Sequence, residues 1–305
     1  MAKIVVIGST NTDMVVKSAR LPKPGETLLG GKFFTNLGGK GANQAVAVAR
    51  MGGEVNFISR LGDDVFGKKA LHQFKKEGIS SRYLSIDEYE ASGTALITIG
   101  GQGENVIVVA PGANNTLTSK HIDEAKEDIK SANIVLIQLE IPMQVVTYAI
   151  QMANALGKRV ILNPAPAQQL TEKSLSCLYA ITPNESEAEY LTSVKVVDEH
   201  SAKMASRVLR AQGVEVVIIT MGDHGAHVSS DEFEGMLPGR KVEVVDTTAA
   251  GDTFNGALSV ALGEGKSIKD AVIFANYAAS LSVTKLGAQV SIPNRDEILL
   301  VEMPT

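Results

Sequence analysis

The chain has no tryptophan and a single cysteine, and aromatic residues fill only 5% of its 305 positions. Cys177 alone cannot form an internal disulfide, so a reducing compartment is expected, the cytoplasm. A basic excess is missing as well: 29 Lys and Arg stand against 34 Asp and Glu, a formal net charge of −5. That balance argues against a nucleic-acid partner, which would want a basic face. It leaves phosphate ligands open, because backbone N–H groups bind them without net charge. Long apolar runs are absent too. No stretch approaches the ~18 apolar residues of a membrane span. The opening "MAKIVVIGST" falls short of a secretory segment, whose apolar core runs to roughly 7–15 residues, and reads as a first strand. The sequons at Asn114 and Asn184 are then accidental.

What is present is an alternation. "KIVVIG", "VNFIS", "NIVLIQLE", "RVILN", "LYAITPN" and "EVVIIT" are short, β-branched and almost continuously apolar, as strands buried on both faces are. Helical periods lie between them. In "GANQAVAVARMGG", Ala42, Ala45, Val46 and Ala49 fall on one face and Gly52 is a stop. "MQVVTYAIQMANALG" and "SAKMASRVLRAQG" behave alike. The pattern predicts an α/β fold, a mostly parallel central sheet with helices on both faces, as one domain over 1–305. Two segments depart from it. Residues 13–36 carry Pro22, Pro24 and Gly25 between alternating runs, and residues 93–109 are two runs around a Gly-rich turn. Both are read as a small antiparallel β lid outside the main sheet, able to cover a site or to pair with another subunit.

Ligands of such sheets bind beyond the carboxyl ends of the strands. Four loops there carry polar residues: "GSTNTD" with Asn11 and Asp13, "NLGGKGANQ" with Gly38, Gly39 and Gly41, "QLE" with Glu140, and "VVDTTAAGDTFNGAL". Any one of them alone reads as a turn or a helix cap. Their convergence on one edge reads as a site. "GGKGAN" fails the dinucleotide fingerprint, since Gln44 stands where a third glycine is needed. "GDDVFGKK" resembles a P-loop but ends in Lys69, without the hydroxyl that ligates Mg²⁺. His224 and His227 lack further ligands nearby and read as turn residues. "PNESEAEYL" puts Asn184 and Glu187 at a strand-to-helix junction. One reading is a cap with first-turn acids; the other is a pair that orders Mg²⁺-bound water near phosphates. In "TTAAGD", Ala249, Ala250 and Gly251 leave a helix N-terminus open to close approach by a phosphate. Asp252 behind them is placed to take a proton from a hydroxyl during phosphoryl transfer.

"DTTAAGDTFNGAL" resembles the C-terminal signature of the PfkB/ribokinase family of sugar kinases. "GGKGANQAVAVARMG" resembles its glycine signature, and "NPAP" and "TPNESEAE" its middle blocks. The likeness runs from "GSTNTD" to "GAQVSIP", nearly the whole chain, and several ordered motifs are more specific than one. "GSTNTD", "QLE", "LNPAPA" and "KLGAQVSIP" are most similar to the ribose-phosphorylating branch. The resemblance implies ATP-dependent phosphorylation of D-ribose at its 5-hydroxyl. It makes Asp252 the base and Ala249, Ala250 and Gly251 an anion hole. Asn11, Asp13, Gly39, Lys40, Gly41, Asn43 and Glu140 match the ribose-contacting set. Asn184 and the run Thr220–Gly225, including Gly222, match the nucleotide site, with Asn276, where some members carry His, near adenine. The family's potassium activation would place K⁺ at Asp246, Thr248, Ser282, Lys285, Gly287 and Ser291. A homodimer through the β lid is also implied. The alternatives are another sugar or nucleoside kinase of this fold, such as a deoxyribokinase, and a non-catalytic sugar- or nucleotide-binding sensor. The sensor would have lost the base or the anion hole, and both are intact.

Overall fold

In chain order the strands are β1 (Lys3–Ile7), β2 (Asn11–Lys17), β3 (Lys32–Gly38), β4 (Glu54–Gly62), β5 (Leu84–Asp87), β6 (Gly93–Ile99) and β7 (Asn105–Ala110). They continue with β8 (Ile134–Ile137), β9 (Arg159–Leu162), β10 (Ala180–Ile181), β11 (Val216–Thr220), β12 (Ala226–Ser229) and β13 (Glu234–Leu237). The computed structural model describes residues 1–299. Nine strands form the main sheet in the order β13-β12-β11-β10-β9-β8-β1-β4-β5. From β11 to β5 the pairs are parallel, while β12 and β13 return as antiparallel hairpins at one edge.

The strands of this sheet carry Val, Ile and Leu on both faces because helices cover both. Ile4 and Val6 face one core with the helices Lys40–Arg50, Ala250–Gly263 and Ile268–Ser282. Val5 and Ile7 face the other, with Met143–Ala155 and Glu199–Ala211. Small residues let two of these helices approach closely. A Cβ on Gly256 would stand 2.4 Å from the Cβ of Ala47, so the helix carrying Asp252 rests on the one carrying Asn43 and Gln44. The predicted strands and helices are all present. The helix over "GANQAVAVARMGG" ends at Arg50, capped by Met51, and Gly52 adopts the left-handed φ of 83° that follows a helix stop.

The second sheet has the order β3-β2-β6-β7 and matches the two segments set apart in the sequence. It is mixed, not antiparallel. The pairs β2–β3 and β6–β7 are hairpins, but β2 and β6 run parallel, with Asn11 opposite Gly93. The reason is topological: β2 and β6 both leave the main body as the outgoing arm of their hairpin, so the arms lie side by side in one direction. The sequon at Asn114 is sealed in the interior at 2% exposure, and that at Asn184 is occupied as a helix cap.

Candidate active site

The loops at the carboxyl edge of the main sheet meet under the root of the small sheet. Residues 8–10 link β1 to β2 and deliver Asn11 and Asp13. At the end of β3, Gly39 turns the chain into the helix Lys40–Arg50 with φ 86°. A side chain on Gly39 would strike the Asn11 amide nitrogen at 2.6 Å, and one on Gly41 the Gly8 carbonyl carbon at 2.5 Å. Glycine is required at both because backbone packs on backbone. Glu140, just past β8, ties the same two loops together. Its Oε2 accepts from Ser9 Oγ at 2.6 Å and from the Lys40 amide at 3.0 Å.

Asp252 lies in the first turn of the helix Ala250–Gly263 and is 6% exposed. Asn43 Nδ2 donates to its Oδ2 at 2.9 Å, and Gln44 Nε2 to its Oδ1 at 2.9 Å. Burial pushes its pKa above the usual carboxylate value, although Lys40 and the two amides pull the other way. Burial also disfavours the Lys40 ammonium, but Asp252, Glu140 and Glu187 outweigh it and hold Lys40 above its ordinary pKa. Asp13 is raised to about 6, first by burial and then by repulsion from Glu140 and Asp252. The structure thus gathers Asp13, Lys40, Asn43, Glu140 and Asp252 around one point. A carboxylate poised above its normal pKa beside the charge of Lys40 is suited to accepting a proton.

The loop before Asp252 is strained. Ala249 sits in the left-handed region at φ 62°, a conformation that costs a residue with a Cβ about 1–2 kcal/mol. Gly251 has nothing within 4 Å of where a Cβ would be, so its face is open. The Ala250 N–H donates to Thr247 O at 3.2 Å, while Gly251 and Asp252 present first-turn N–H groups that have no intrahelical acceptor. This turn lines one wall of a cleft of about 200 Å³, with Lys40, Asn184, Glu187 and Thr220 opposite.

Asn184 and Glu187 do form a capping box: Asn184 Oδ1 accepts the Glu187 N–H and Glu187 Oε2 accepts the Asn184 N–H, each at 2.9 Å. They also line the cleft, so the cap leaves them at its wall. Burial raises the Glu187 pKa, against the pull of the Asn184 N–H and Lys40. Among the described residues no group of three or more His, Cys, Asp or Glu could cage a metal. Thr220 reaches the cleft, but Gly222 and Gly225 sit in the turn between β11 and β12. Gly225 packs against Leu237 O, and Asn276 Nδ2 donates to the same carbonyl at 3.0 Å, so these two meet at the end of β13. The segments around Asp246 and Gly287 are brought together. Asp246 Oδ1 accepts from the Thr248 N–H at 2.9 Å and Oδ2 from the Gly287 N–H at 2.9 Å. Ser282 and Ser291 turn their hydroxyls to the carbonyls of Ala279 and Ala288, and Lys285 pairs with Glu297 at 2.7 Å.

Sequence reading passed over a buried polar chain behind Asp252. Gln138 Nε2 donates to Gln44 Oε1 at 2.5 Å, and Gln44 Nε2 reaches Asn163 Oδ1 at 3.1 Å as well as Asp252. A second brace runs from Thr182 Oγ1 to Asn255 Oδ1 at 2.7 Å, and from Asn255 Nδ2 to Gly251 O at 2.8 Å. The signal available was polar residues at apolar positions, Gln44 on a helix face and Asn163 in "NPAP".

The model of the pfkB family carbohydrate kinases matches residues 1–295, and the chain belongs to that family. Among its relatives, a ribokinase of Haemophilus influenzae is 46% identical over 97% of each chain. One of Bacillus subtilis is 42% identical over 98% of each. The solved structure of Arabidopsis thaliana ribokinase complexed with ribose and ATP is 33% identical and superposes with a TM-score of 0.92 over 98% of each chain.

Proposed function

We infer that the protein is an ATP-dependent kinase that phosphorylates D-ribose at its 5-hydroxyl, giving ribose 5-phosphate and ADP. The observation that carries this reading is the buried carboxylate of Asp252, fixed by Asn43 and Gln44 where the sugar-side residues meet the open turn Ala249–Gly251. Full-length similarity to ribokinases supports ribose and ATP as the substrates. Asn11, Asp13, Lys40, Asn43 and Glu140, with the backbone of Gly39 and Gly41, hold the sugar. Asp252 accepts the 5-hydroxyl proton as that oxygen bonds to the γ-phosphorus and the bond to the β-phosphate bridging oxygen breaks. The N–H groups at the helix start take up charge on the transferring group. Asn184, Thr220 and the turn Gly222–Gly225 hold the nucleotide, with Asn276 beside the adenine.

Mg²⁺ fits as a passenger on the phosphates, since among the described residues the cleft offers, besides Asp252, the single acid Glu187 with Asn184; it would neutralise phosphate charge. K⁺ fits the two loops joined by Asp246, with oxygens of Thr248, Ser282, Lys285, Gly287 and Ser291; it would stiffen the turn that carries Ala249. A single domain, residues 1–305, with the small sheet as a lid accounts for the placement of the site. The lid's exposed apolar strand β7 supports a homodimer through it. No helix among the described residues is long and apolar enough to cross a membrane, and the lone Cys177 is unpaired, which suits the cytoplasm. An ADP-release assay over pentoses, hexoses and nucleosides tests the reading. Turnover should be highest on ribose, and turnover of adenosine or fructose without ribose would overturn it.

A further inference from the structure

The sugar-side residue Asn11 is held by a partner outside the cleft. Asn114 follows β7, in the short turn Gly112–Thr116 where the chain comes back from the lid. It is 2% exposed and reaches across to the place where the chain first enters the lid. Its Oδ1 accepts the Thr10 N–H at 2.8 Å; its Nδ2 donates to Thr10 O at 3.1 Å and to Asn11 Oδ1 at 2.8 Å. The backbone of Thr10 fixes the polarity of the whole chain. An amide N–H can only donate and a carbonyl can only accept, so the Asn114 carboxamide has one permitted orientation. That orientation presents Nδ2 to Asn11, so the atom of Asn11 facing it must be Oδ1. Asn11 Nδ2 is then the end left over. Among the described residues it has no protein acceptor, and it is not one of the buried atoms sealed from solvent without a partner.

We propose that Asn114 is a positioning residue that sets the polarity of Asn11, making it a hydrogen-bond donor toward the sugar while Asp13 acts as the acceptor. This rests on the reading of Asn11 as a sugar contact. One hydroxyl can satisfy both, its oxygen taking the Asn11 N–H and its proton going to the Asp13 carboxylate. A mis-set Asn11 would aim two acceptors at that hydroxyl, and one of them would go unpaired. The lid's own root closes the arrangement. Gly93, the first residue of β6, lies opposite Asn11, and a Cβ there would stand 2.2 Å from Asn114 Nδ2 and 2.3 Å from Asn11 Oδ1. The two outgoing lid strands and the returning chain therefore cross at this one amide pair.

A double-mutant cycle of Asn11→Ala and Asn114→Ala, read by calorimetric titration of ribose and by KM for ribose and ATP, tests the proposal. Asn114→Ala should weaken ribose binding about tenfold, the loss of one oriented hydrogen bond, and leave the KM for ATP unchanged. In the Asn11→Ala background the same change should add almost nothing, because there is no amide left to orient. The near-isosteric Asn114→Asp keeps the packing volume and an acceptor for Thr10, but invites Asn11 to turn its Nδ2 away from the sugar. It should lower the melting temperature, since a carboxylate oxygen replaces the donor to Thr10 O, and lose affinity for ribose but not for ATP, so it stands in should the alanine variant fail to fold. Additive effects in the cycle, or equal losses for ribose and ATP, would overturn the positioning role alone. No effect of Asn11→Ala on ribose would overturn the sugar-contact reading and the proposal with it.

Discussion

Asp252 is gripped on both oxygens by amides, so its geometry is set before any substrate arrives. Asp252→Ala should lower kcat by roughly 10²–10⁴-fold, the span of a lost general base, while the KM for ATP stays close to its original value. Steady-state kinetics with each substrate varied in turn would check this, and near-normal kcat would remove Asp252 as the base. Asp13 gives a pH signature. Its pKa is raised to about 6 by burial and by Glu140 and Asp252, so the empty protein takes up a proton there that an ordinary aspartate would take up near 3.8. The protonated form is favoured by folding: its stabilisation is fully present below the ordinary pKa and is lost as the pH rises through about 6. The proposed sugar contact of Asp13 would ask for the ionised acceptor instead. The KM for ribose should climb as the pH falls below about 6, the KM for ATP should not follow, and Asp13→Asn should flatten the profile. These residues were legible in the sequence because each lies in a short contiguous motif. Gln44 and Asn163 were not. Their meaning comes from a contact between a helix and a distant strand, and the one local mark, a polar residue at an apolar position, does not say what it braces.

At the scale of elements, the loop that begins the helix Ala250–Gly263 is tied to the end of the helix Ile268–Ser282. The Val245 and Asp246 amides donate to Val283 O at 2.8 and 3.2 Å, and Asp246 reaches the Gly287 amide. A cation bound among these turns, as proposed above, would touch no substrate and would act only by holding Ala249–Gly251. At constant ionic strength and saturating Mg²⁺-ATP, replacing Na⁺ by K⁺ should raise kcat several-fold, an effect worth about 1 kcal/mol in preorganised donors. Asp246→Ala should abolish the difference and also lower the Na⁺ rate, because it releases the Thr248 and Gly287 amides that tie the loop. Equal rates in the two salts for the original protein would remove the cation site. Elements themselves were well marked in the sequence, since fully buried strands such as β8, Ile134–Ile137, are apolar without a break. The direction of strand pairing was not. Alternation in residues 13–36 and 93–109 identifies strands and hairpins, but the parallel pair β2–β6 depends on where the main sheet delivers each arm.

For the whole molecule, the lid is the part least finished as a monomer. Every residue of β7 is exposed, and Ile107 and Val108 are 52% and 61% exposed on what is an edge strand. Apolar edge strands are ready to pair with another chain. Sedimentation velocity should report a dimer, and Val108→Glu should shift it to the monomer while leaving the main sheet folded. A monomeric original protein would refute the lid dimer. The mixed sheet also orders the assembly of the chain in time. The hairpins β2–β3 and β6–β7 are local and can close early, but their union across Asn11 and Gly93 joins residues far apart in sequence. Closing that long loop is costly until β1, β4 and β5 have brought the two arms to one edge. A newly made chain that follows this order would pair β1, β4 and β5 before its two arms join, so a partly folded molecule would carry the apolar strand β7 exposed before Asn11 and Asn114 meet.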